Sequence, residues 1–457
     1  MASSADKLEI KGKFRSNFLV IVILAMAGSA IFGLPFFRFE YYDAYVTTYH
    51  LTNTQMGVFS SVIGIFGIIS YLFGGVVADG MSVRKIITVS LLVTGIAGLF
   101  HLLPLTFYGL LIVYAVWGIS TTFAFQPACV KAVRILAGND NQGKAYGFYE
   151  GTSSVMGAVI SMVALGIFNW GISQAGNQVA AMKAGIMFYS VFNIIMGIVA
   201  FFLLRGTSVT LRAEKVTFTG IANIIKNPVV WIIALVGFCN HILCIAVYYY
   251  IPYTTGILGA SVTIGALLGI FRKWGGFVGN IGGGYLADKI GTGKLMLRSY
   301  GIVLIAQIAM LLVPPVSSSI VLVAVLFVII YTFFSINTAM SWTMMSESAL
   351  PLEYSGTIAG LICTVGAIPE TFVSLLAGHM IDSNEGALGF RLFFIFLAAV
   401  TVLGFLLLRL YNKRLEKIKR NAASQPKETA DQCCGCRGGV HVVDECENSI
   451  TCDLNSG

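Results

Sequence analysis

Four ionisable side chains lie inside long apolar stretches of the sequence. Arg272 and Lys273 are adjacent in one stretch, Glu370 follows Pro369 in another, and His241 stands alone in a third. A charged group is costly in apolar surroundings and is retained there for binding or for pairing. Arg272 and Lys273 could therefore neutralise an anionic ligand, and Glu370 could hold one of these bases or carry a proton. A buried ion pair without a ligand role is the alternative.

Arg38 and several other polar groups extend this set of candidates. Arg38 ends the first apolar run, where it could bind the same anion or reach the membrane surface as an interfacial arginine. His241 could relay protons or donate to a ligand oxygen, and a purely structural histidine is the alternative. The candidates to complete recognition are Gln126, Asn337 and Trp342.

A second group of charges lies near the ends of the fourth and fifth apolar runs. It consists of Lys131, Arg134 and Glu150. These side chains can pair with one another or with Asp79, which ends the second run. We expect them to act in ion pairs and gating more than in ligand contact.

The composition indicates which elements must position these groups. Of the 457 residues, 57% are hydrophobic and 11% are charged, whereas a soluble domain carries about 25% charged residues. The mean hydropathy is +0.83. These values exclude an ordinary soluble enzyme and a disordered chain. The net charge of +8 comes from bases between apolar runs, so it does not indicate nucleic-acid binding.

Twelve apolar runs are long enough to cross a membrane as helices, since a hydrocarbon core of roughly 30 Å needs about 20 residues at helical rise. They cover residues 18–39, 56–78, 86–104, 108–134, 145–169, 184–204, 229–254, 261–286, 296–314, 319–345, 355–380 and 389–410. The sequence therefore predicts an all-α membrane protein with twelve transmembrane helices.

The basic residues predict the orientation of these spans. Lys and Arg are concentrated in alternate connections, except that the loop after the tenth run has Glu347 and Glu353 and no base, and the opposite connections contain only Lys183 and Arg391. Because basic loops remain cytoplasmic, we expect both termini in the cytoplasm of a multi-pass plasma-membrane protein. The first run reads as a retained span and not as a cleaved signal.

The chain divides into two similar halves. A shift of 209 residues superimposes Asp79 on Asp288 and Gly157 on Gly366, at equivalent positions of spans. Such an internal repeat is typical of transporters with pseudo-symmetric halves. We predict a cytoplasmic N-terminal segment (1–16), two six-helix bundles (17–204 and 228–410), a cytoplasmic linker (205–227) and a disordered cytoplasmic tail (411–457).

Two short loops repeat one motif, Gly-x-x-Ala-Asp followed by bases. The first contains Asp79 with Arg84 and Lys85, and the second contains Asp288 with Lys289 and Lys294. A carboxylate there can lie against the positive end of a neighbouring helix, and the bases keep the loop in the cytoplasm. Such contacts could form in one conformation and break in another, so we assign these residues to gating.

The repeated motif and the arrangement of spans resemble the major facilitator superfamily over about residues 14–412. In the first loop, Gly80 and Ser82 depart from the family's pattern. The resemblance implies two pseudo-symmetric halves that rock about a central site. Arg38 lies about where the organophosphate/phosphate antiporter branch keeps a substrate-binding arginine. The second arginine of that branch, in span seven, has no counterpart here, and Arg272 could replace it.

These observations predict a secondary active transporter that moves a small polar, anionic organic solute by alternating access. An organophosphate, a sulfonate or a carboxylate would fit. A proton-coupled exporter of neutral or drug-like solutes is one alternative, and a membrane receptor or scaffold that does not transport is another. We expect no enzymatic activity, cofactor, metal site or nucleic-acid partner. The expected partners are the solute, the lipid bilayer and protons or a counter-transported anion, with the monomer as the functional unit.

Overall fold

The computed structural model describes residues 14–70, 73, 82–125, 128–129, 132–133, 136, 142–204, 227–347 and 355–424. These residues are almost entirely helical, and no β-strand occurs among them. The described residues up to 413 form one compact unit, and those from 414 onward belong to a second. The last helix reaches Ser424, so the prediction of a disordered tail from residue 411 is wrong for residues 411–424.

Thirteen α-helices longer than two turns are found in the described parts of the chain. In order they are α1 (Phe14–Glu40), α2 (Tyr42–Tyr49), α3 (Asn53–Ile69), α4 (Val83–Phe100), α5 (Phe107–Trp117), α6 (Gln142–Ala175), α7 (Gln178–Leu203), α8 (Pro228–Ala246), α9 (Val262–Ile290), α10 (Thr292–Leu312), α11 (Ile320–Glu347), α12 (Ser355–Asp382) and α13 (Leu388–Ser424). Helix α5 continues as a π-helix (Gly118–Phe125), and α8 continues through short turns to Ile257.

Over the ranges that the structure describes, each of the twelve predicted runs overlaps one of these helices. Within the described residues, ten helices are long and apolar enough to cross a membrane, and α2 with α3, bent by 104°, makes an eleventh candidate. Helix α9 is also long enough to cross a membrane. It is not among these apolar helices, and it carries Arg272 and Lys273. The protein is therefore a multi-pass all-α membrane protein.

Polar residues at the helix starts explain where several helices begin. Thr52 and Gln55 form a capping box at α3, and Asn177 caps α7 by accepting from the backbone N–H of Ala180 at 2.8 Å. Such caps satisfy backbone donors that the helix leaves unpaired.

The packing of the helices follows the predicted repeat. Helix α1 packs along α6, and its counterpart α8 packs along α12; α3 packs along α12, and the corresponding pair is α9 and α6. A Cβ atom at Gly157 would lie 3.7 Å from Ser29, and one at the matching Gly366 would lie 3.9 Å from Gly237. Equivalent glycines thus line equivalent helix contacts in the two halves.

Glycines allow the closest of these contacts, between α3 and α12. A Cβ atom at Gly64 would lie 2.7 Å from the backbone carbon of Glu370, whereas one at Gly67 would meet nothing within 4 Å. Without a side chain, Gly64 lets the two backbones approach. This contact joins the N-terminal half (α1–α7) to the C-terminal half (α8–α13) beside a predicted site residue.

Candidate functional site

A cavity of about 320 Å³ lies between the two halves. Its walls come from α1, α6, α9 and the turn after α8. They include the cations of Arg272 and Lys273, the carboxylate of Glu40 and the hydroxyl of Ser29. The structure therefore brings the two adjacent bases of α9 to one central cavity.

Lys273 pairs across the halves with Glu40 of α1. Its Nζ lies 2.8 Å from Glu40 Oε1 and donates to the carbonyl oxygen of Gly157 at 3.3 Å. It also donates to the hydroxyl of Ser161, which in turn donates to Glu40 Oε2 at 3.2 Å. A lysine in this setting is fully engaged, so its charge is balanced by a carboxylate of the protein itself.

Arg272 has a different environment. It is 8% exposed, and its guanidinium carbon lies 4.4 Å from the ring centre of Tyr248 and 5.3 Å from that of Tyr331. Its Nε has no hydrogen-bond partner among the described residues. Arg272 thus carries a buried positive charge that aromatic faces stabilise and that no described carboxylate pairs.

Aromatic side chains form the wall beside Arg272. The ring of Tyr248 stacks on Phe36 at 5.7 Å and on Phe39 at 4.6 Å, so it joins the turn after α8 to α1. Phe36 and Tyr248 both line the cavity. A ligand there would meet an apolar, flat surface on one side and serine hydroxyls on the other.

Glu370 pairs with His241 and not with the bases of α9. The distance from Glu370 Oε2 to His241 Nε2 is 3.1 Å, with side-chain exposures of 17% and 32%. The prediction that Glu370 holds Arg272 or Lys273 is therefore wrong for this conformation. The reason is that α12 packs against α8, which brings His241 to Glu370, while Lys273 reaches across to Glu40 of the other half.

Arg38 is buried in the protein and is not among the residues that line the cavity. It is fully buried, and it donates to the carbonyl of Pro35 at 2.7 Å and to the hydroxyl of Ser60 at 2.6 Å. Its guanidinium carbon lies 4.4 Å from the ring centre of Phe39. The interfacial alternative is therefore wrong. Arg38 instead ties α1 to α3 inside the N-terminal half.

The other candidates occupy varied positions. Asn337 is fully buried away from the cavity lining, and Glu150 is an exposed residue of α6. Arg84 donates to the carbonyl of Phe201 at 2.6 Å, and Lys289 lies over the ring of Tyr285 at 4.3 Å. Exposed side chains are also found at Lys85 and Lys294.

Several candidates lie outside the described residues: Asp79, Gln126, Lys131 and Arg134. Asp288 and Trp342 belong to α9 and α11, and their side chains are outside the description.

One end of the bundle is joined by polar contacts between the halves. Asp382, the last residue of α12, accepts hydrogen bonds from the backbone N–H and side-chain amide of Asn53 and from the backbone N–H and hydroxyl of Thr54. Thr263 of α9 donates to Asn169 of α6 at 2.9 Å. We call this the Asp382 end of the bundle.

Sequence reasoning missed Glu40, Ser161, Tyr248 and Asp382. Glu40 was visible as an acid at the end of a long first run, but which helix it faces depends on the tilt of α1. Asp382 was visible as the acid that follows the eleventh run. The available signal for both was a carboxylate at the end of a span.

Comparisons with known proteins agree with this architecture. A sequence model described as the Major Facilitator Superfamily matches residues 16–374. The Escherichia coli K12 inner membrane protein YihN is 25% identical over 419 residues, which cover 89% of this chain and 98% of YihN. The inner membrane protein YqcE of the same strain is 26% identical over 389 residues, covering 82% of this chain and 90% of YqcE.

Solved transporter structures share the fold. A bacterial homologue of the human lysosomal transporter Spinster, in an inward-facing and occupied conformation, superimposes with a TM-score of 0.66 at 16% identity; the match covers 88% of this chain and 97% of that one. A point mutant of the nucleoside transporter NupG gives a TM-score of 0.70 at 12% identity, covering 86% of this chain and 99% of that one. At these identities the likeness concerns the fold alone.

Proposed function

The chain belongs to the Major Facilitator Superfamily, and from this premise we propose that it is a secondary transporter that moves a small organic anion through its central cavity by alternating access. The superfamily consists of membrane transporters and not of enzymes. Its partners are therefore small solutes and the lipid bilayer in which it lies. We place it in the plasma membrane with both termini in the cytoplasm and the monomer as the working unit.

The observation that carries the proposal is Arg272. Its cation lines the cavity with no described carboxylate to pair it. An unpaired charge in a low-dielectric interior is unfavourable, and an anionic solute would remove that cost while gaining charge-assisted hydrogen bonds. A guanidinium can hold a carboxylate, sulfonate or phosphate through two parallel hydrogen bonds. Lys273, the second base at the cavity, is paired with Glu40 in this conformation.

Alternating access requires that one end of the bundle open while the other closes. The contacts of Asp382 and of Thr263 join the halves at the Asp382 end. The positions of the basic residues assign this end to the outside. We therefore assign this conformation to a state that is closed to the outside. The loop residues Asp79, Arg84, Lys85, Arg134, Asp288, Lys289 and Lys294 remain our proposal for the cytoplasmic gate.

A proton-coupled exporter of neutral or drug-like solutes is the second candidate, and the pair of His241 and Glu370 favours it. Both side chains are partly exposed, and a histidine can exchange a proton near neutral pH. In this alternative the pair would release a proton when the solute binds. Glu370 would then carry the coupling and Arg272 would have no solute to bind.

Ligand binding to the purified protein tests the proposal. Thermal unfolding in detergent is followed with a panel of sulfonates, carboxylates and phosphate esters, together with neutral compounds of similar size. We expect an anion to raise the melting temperature of the wild type and not that of Arg272→Gln. Lys183→Gln, a base outside the cavity, should behave as the wild type. Stabilisation of both variants by the same anion would contradict the assignment of Arg272.

A further inference from the structure

We infer that Glu40 sets the charge of the solute, so that the site selects an anion with one negative charge. This inference rests on the proposed transport of anions and deepens it. It starts from the charged residues that line the cavity, which among the described residues are Arg272, Lys273 and Glu40. Two cations and one carboxylate leave a single net positive charge.

The geometry assigns that single charge to Arg272. Lys273 Nζ and Glu40 Oε1 are 2.8 Å apart, with side-chain exposures of 17% and 9%. The hydroxyl of Ser161 holds both members of the pair. The hydrogen-bonded pair of His241 and Glu370 lies outside the cavity lining. Among the charged lining residues that the structure describes, Arg272 is the one left to meet a ligand.

A monoanion on Arg272 would make the loaded site neutral. The halves could then move around it without carrying net charge through the low-dielectric interior. A dianion would leave one negative charge in the cavity, or it would have to displace Glu40 from Lys273 and leave that carboxylate unpaired. Either outcome is unfavourable. Carboxylates, sulfonates and sulfate esters fit this requirement, whereas phosphate monoesters carry about two charges at neutral pH.

Matched esters that differ in charge and hardly in shape test this inference. The probes are glucose 6-sulfate with glucose 6-phosphate, and phenyl sulfate with phenyl phosphate, each titrated onto purified protein at pH 7.5. We expect the wild type to bind the sulfate of a pair at least about tenfold more tightly, because the second charge of the phosphate would lose its hydration in the cavity with no protein charge left to balance it.

Removal of the carboxylate should move the preference toward the dianion. In Glu40→Gln the site carries two positive charges, so the ratio of sulfate to phosphate affinity should fall by roughly tenfold or more. Asp43→Asn removes a nearby carboxylate that does not line the cavity, and it should leave the ratio unchanged. An unchanged ratio in Glu40→Gln would overturn the inference.

A double variant separates charge from packing. Lys273→Met alone leaves a neutral site, which should bind neither ester, whereas Glu40→Gln with Lys273→Met restores one positive charge on Arg272. We expect this double variant to regain the preference for the sulfate. If it still favours the phosphate, or binds neither ester while remaining folded, the charge count is wrong.

The results of these titrations distinguish a failure of the charge selectivity from a failure of the proposed anion transport. Binding of sulfate and phosphate esters with equal affinity, lost in Arg272→Gln, would overturn the selectivity and leave anion transport standing. Absence of binding for all four esters, together with binding of a neutral compound, would overturn both.

Discussion

Asp382 and Thr54 join the two halves of the protein through two hydrogen bonds on one carboxylate. The backbone N–H of Thr54 donates to Asp382 Oδ2 at 2.7 Å, and its hydroxyl donates to the same oxygen at 2.6 Å. Asn53 adds two bonds to the other oxygen. A carboxylate of α12 thus caps the start of α3, where the helix presents unpaired N–H groups and a positive dipole end.

This contact predicts that Asp382→Ala opens the Asp382 end. Loss of the carboxylate removes a helix cap and four charge-assisted bonds, which together are worth on the order of 2 kcal/mol or roughly a 30-fold shift in population. The thiol of Ser29→Cys, in a protein without other cysteines, should then react faster with an impermeant maleimide added from outside. Glu385→Gln, an exposed acid near the same end, is the control. Equal labelling rates in all three proteins would exclude a gating role for Asp382.

The packing of α3 on α12 gives a second prediction. Gly64→Ala forces a methyl group against the backbone of Glu370, and the helices must separate, at a cost of about 1–3 kcal/mol. We expect a lower melting temperature in detergent, by several degrees, and slower transport. Gly67→Ala, on the same helix, meets nothing within 4 Å and should be neutral. A melting temperature that falls equally in both variants would show that the contact of Gly64 with Glu370 is not responsible, since Ala by itself favours the helix over Gly.

Glu370 separates the two candidate functions. In the anion proposal it pairs with His241 outside the cavity lining, so Glu370→Gln should keep exchange of an anion across liposome membranes within about twofold of the wild type. In the exporter alternative the same substitution should abolish proton release when a solute is added. The two measurements on one variant decide between the proposals, and Glu385→Gln controls for the loss of a charge.

Arg38 is predicted to stabilise the N-terminal half more than to bind solute. Its two hydrogen bonds and its stacking on Phe39 require the flat guanidinium, which lysine lacks. Arg38→Lys should therefore lower the melting temperature by several degrees, while the affinity for an anion stays close to that of the wild type. A selective loss of affinity with normal stability would instead place Arg38 in the binding site.

Hydropathy and charge predicted the fold well, because a membrane-spanning helix can be recognised from the composition of one continuous segment. The twelve runs required only a length and an apolar composition. Recurrence of Gly157 as Gly366 predicted two halves, and the structure places both glycines at equivalent helix contacts. Even α9, which the buried bases make less apolar than the other spans, was found from its length and its flanking turns.

The site was only partly predictable, because it depends on how helices rotate and tilt. The charges of Arg272 and Lys273 indicated a central ligand site. The partner of Lys273 could not be read from the sequence, since Glu40 and Glu370 both lie at plausible depths. In the structure Lys273 pairs with Glu40. The reason is that Gly157 and Ser161 of α6 leave room for the lysine side chain on the face of α9 that contacts the N-terminal half.

The most direct test of anion transport is counterflow in liposomes that contain the purified protein. The vesicles are loaded with an unlabelled anion that binds in the thermal assay, and entry of the same radiolabelled anion is followed for the wild type, Arg272→Gln and Lys183→Gln. We predict rapid counterflow in the wild type and in Lys183→Gln, and its loss in a correctly inserted Arg272→Gln. Normal counterflow in Arg272→Gln would contradict the account.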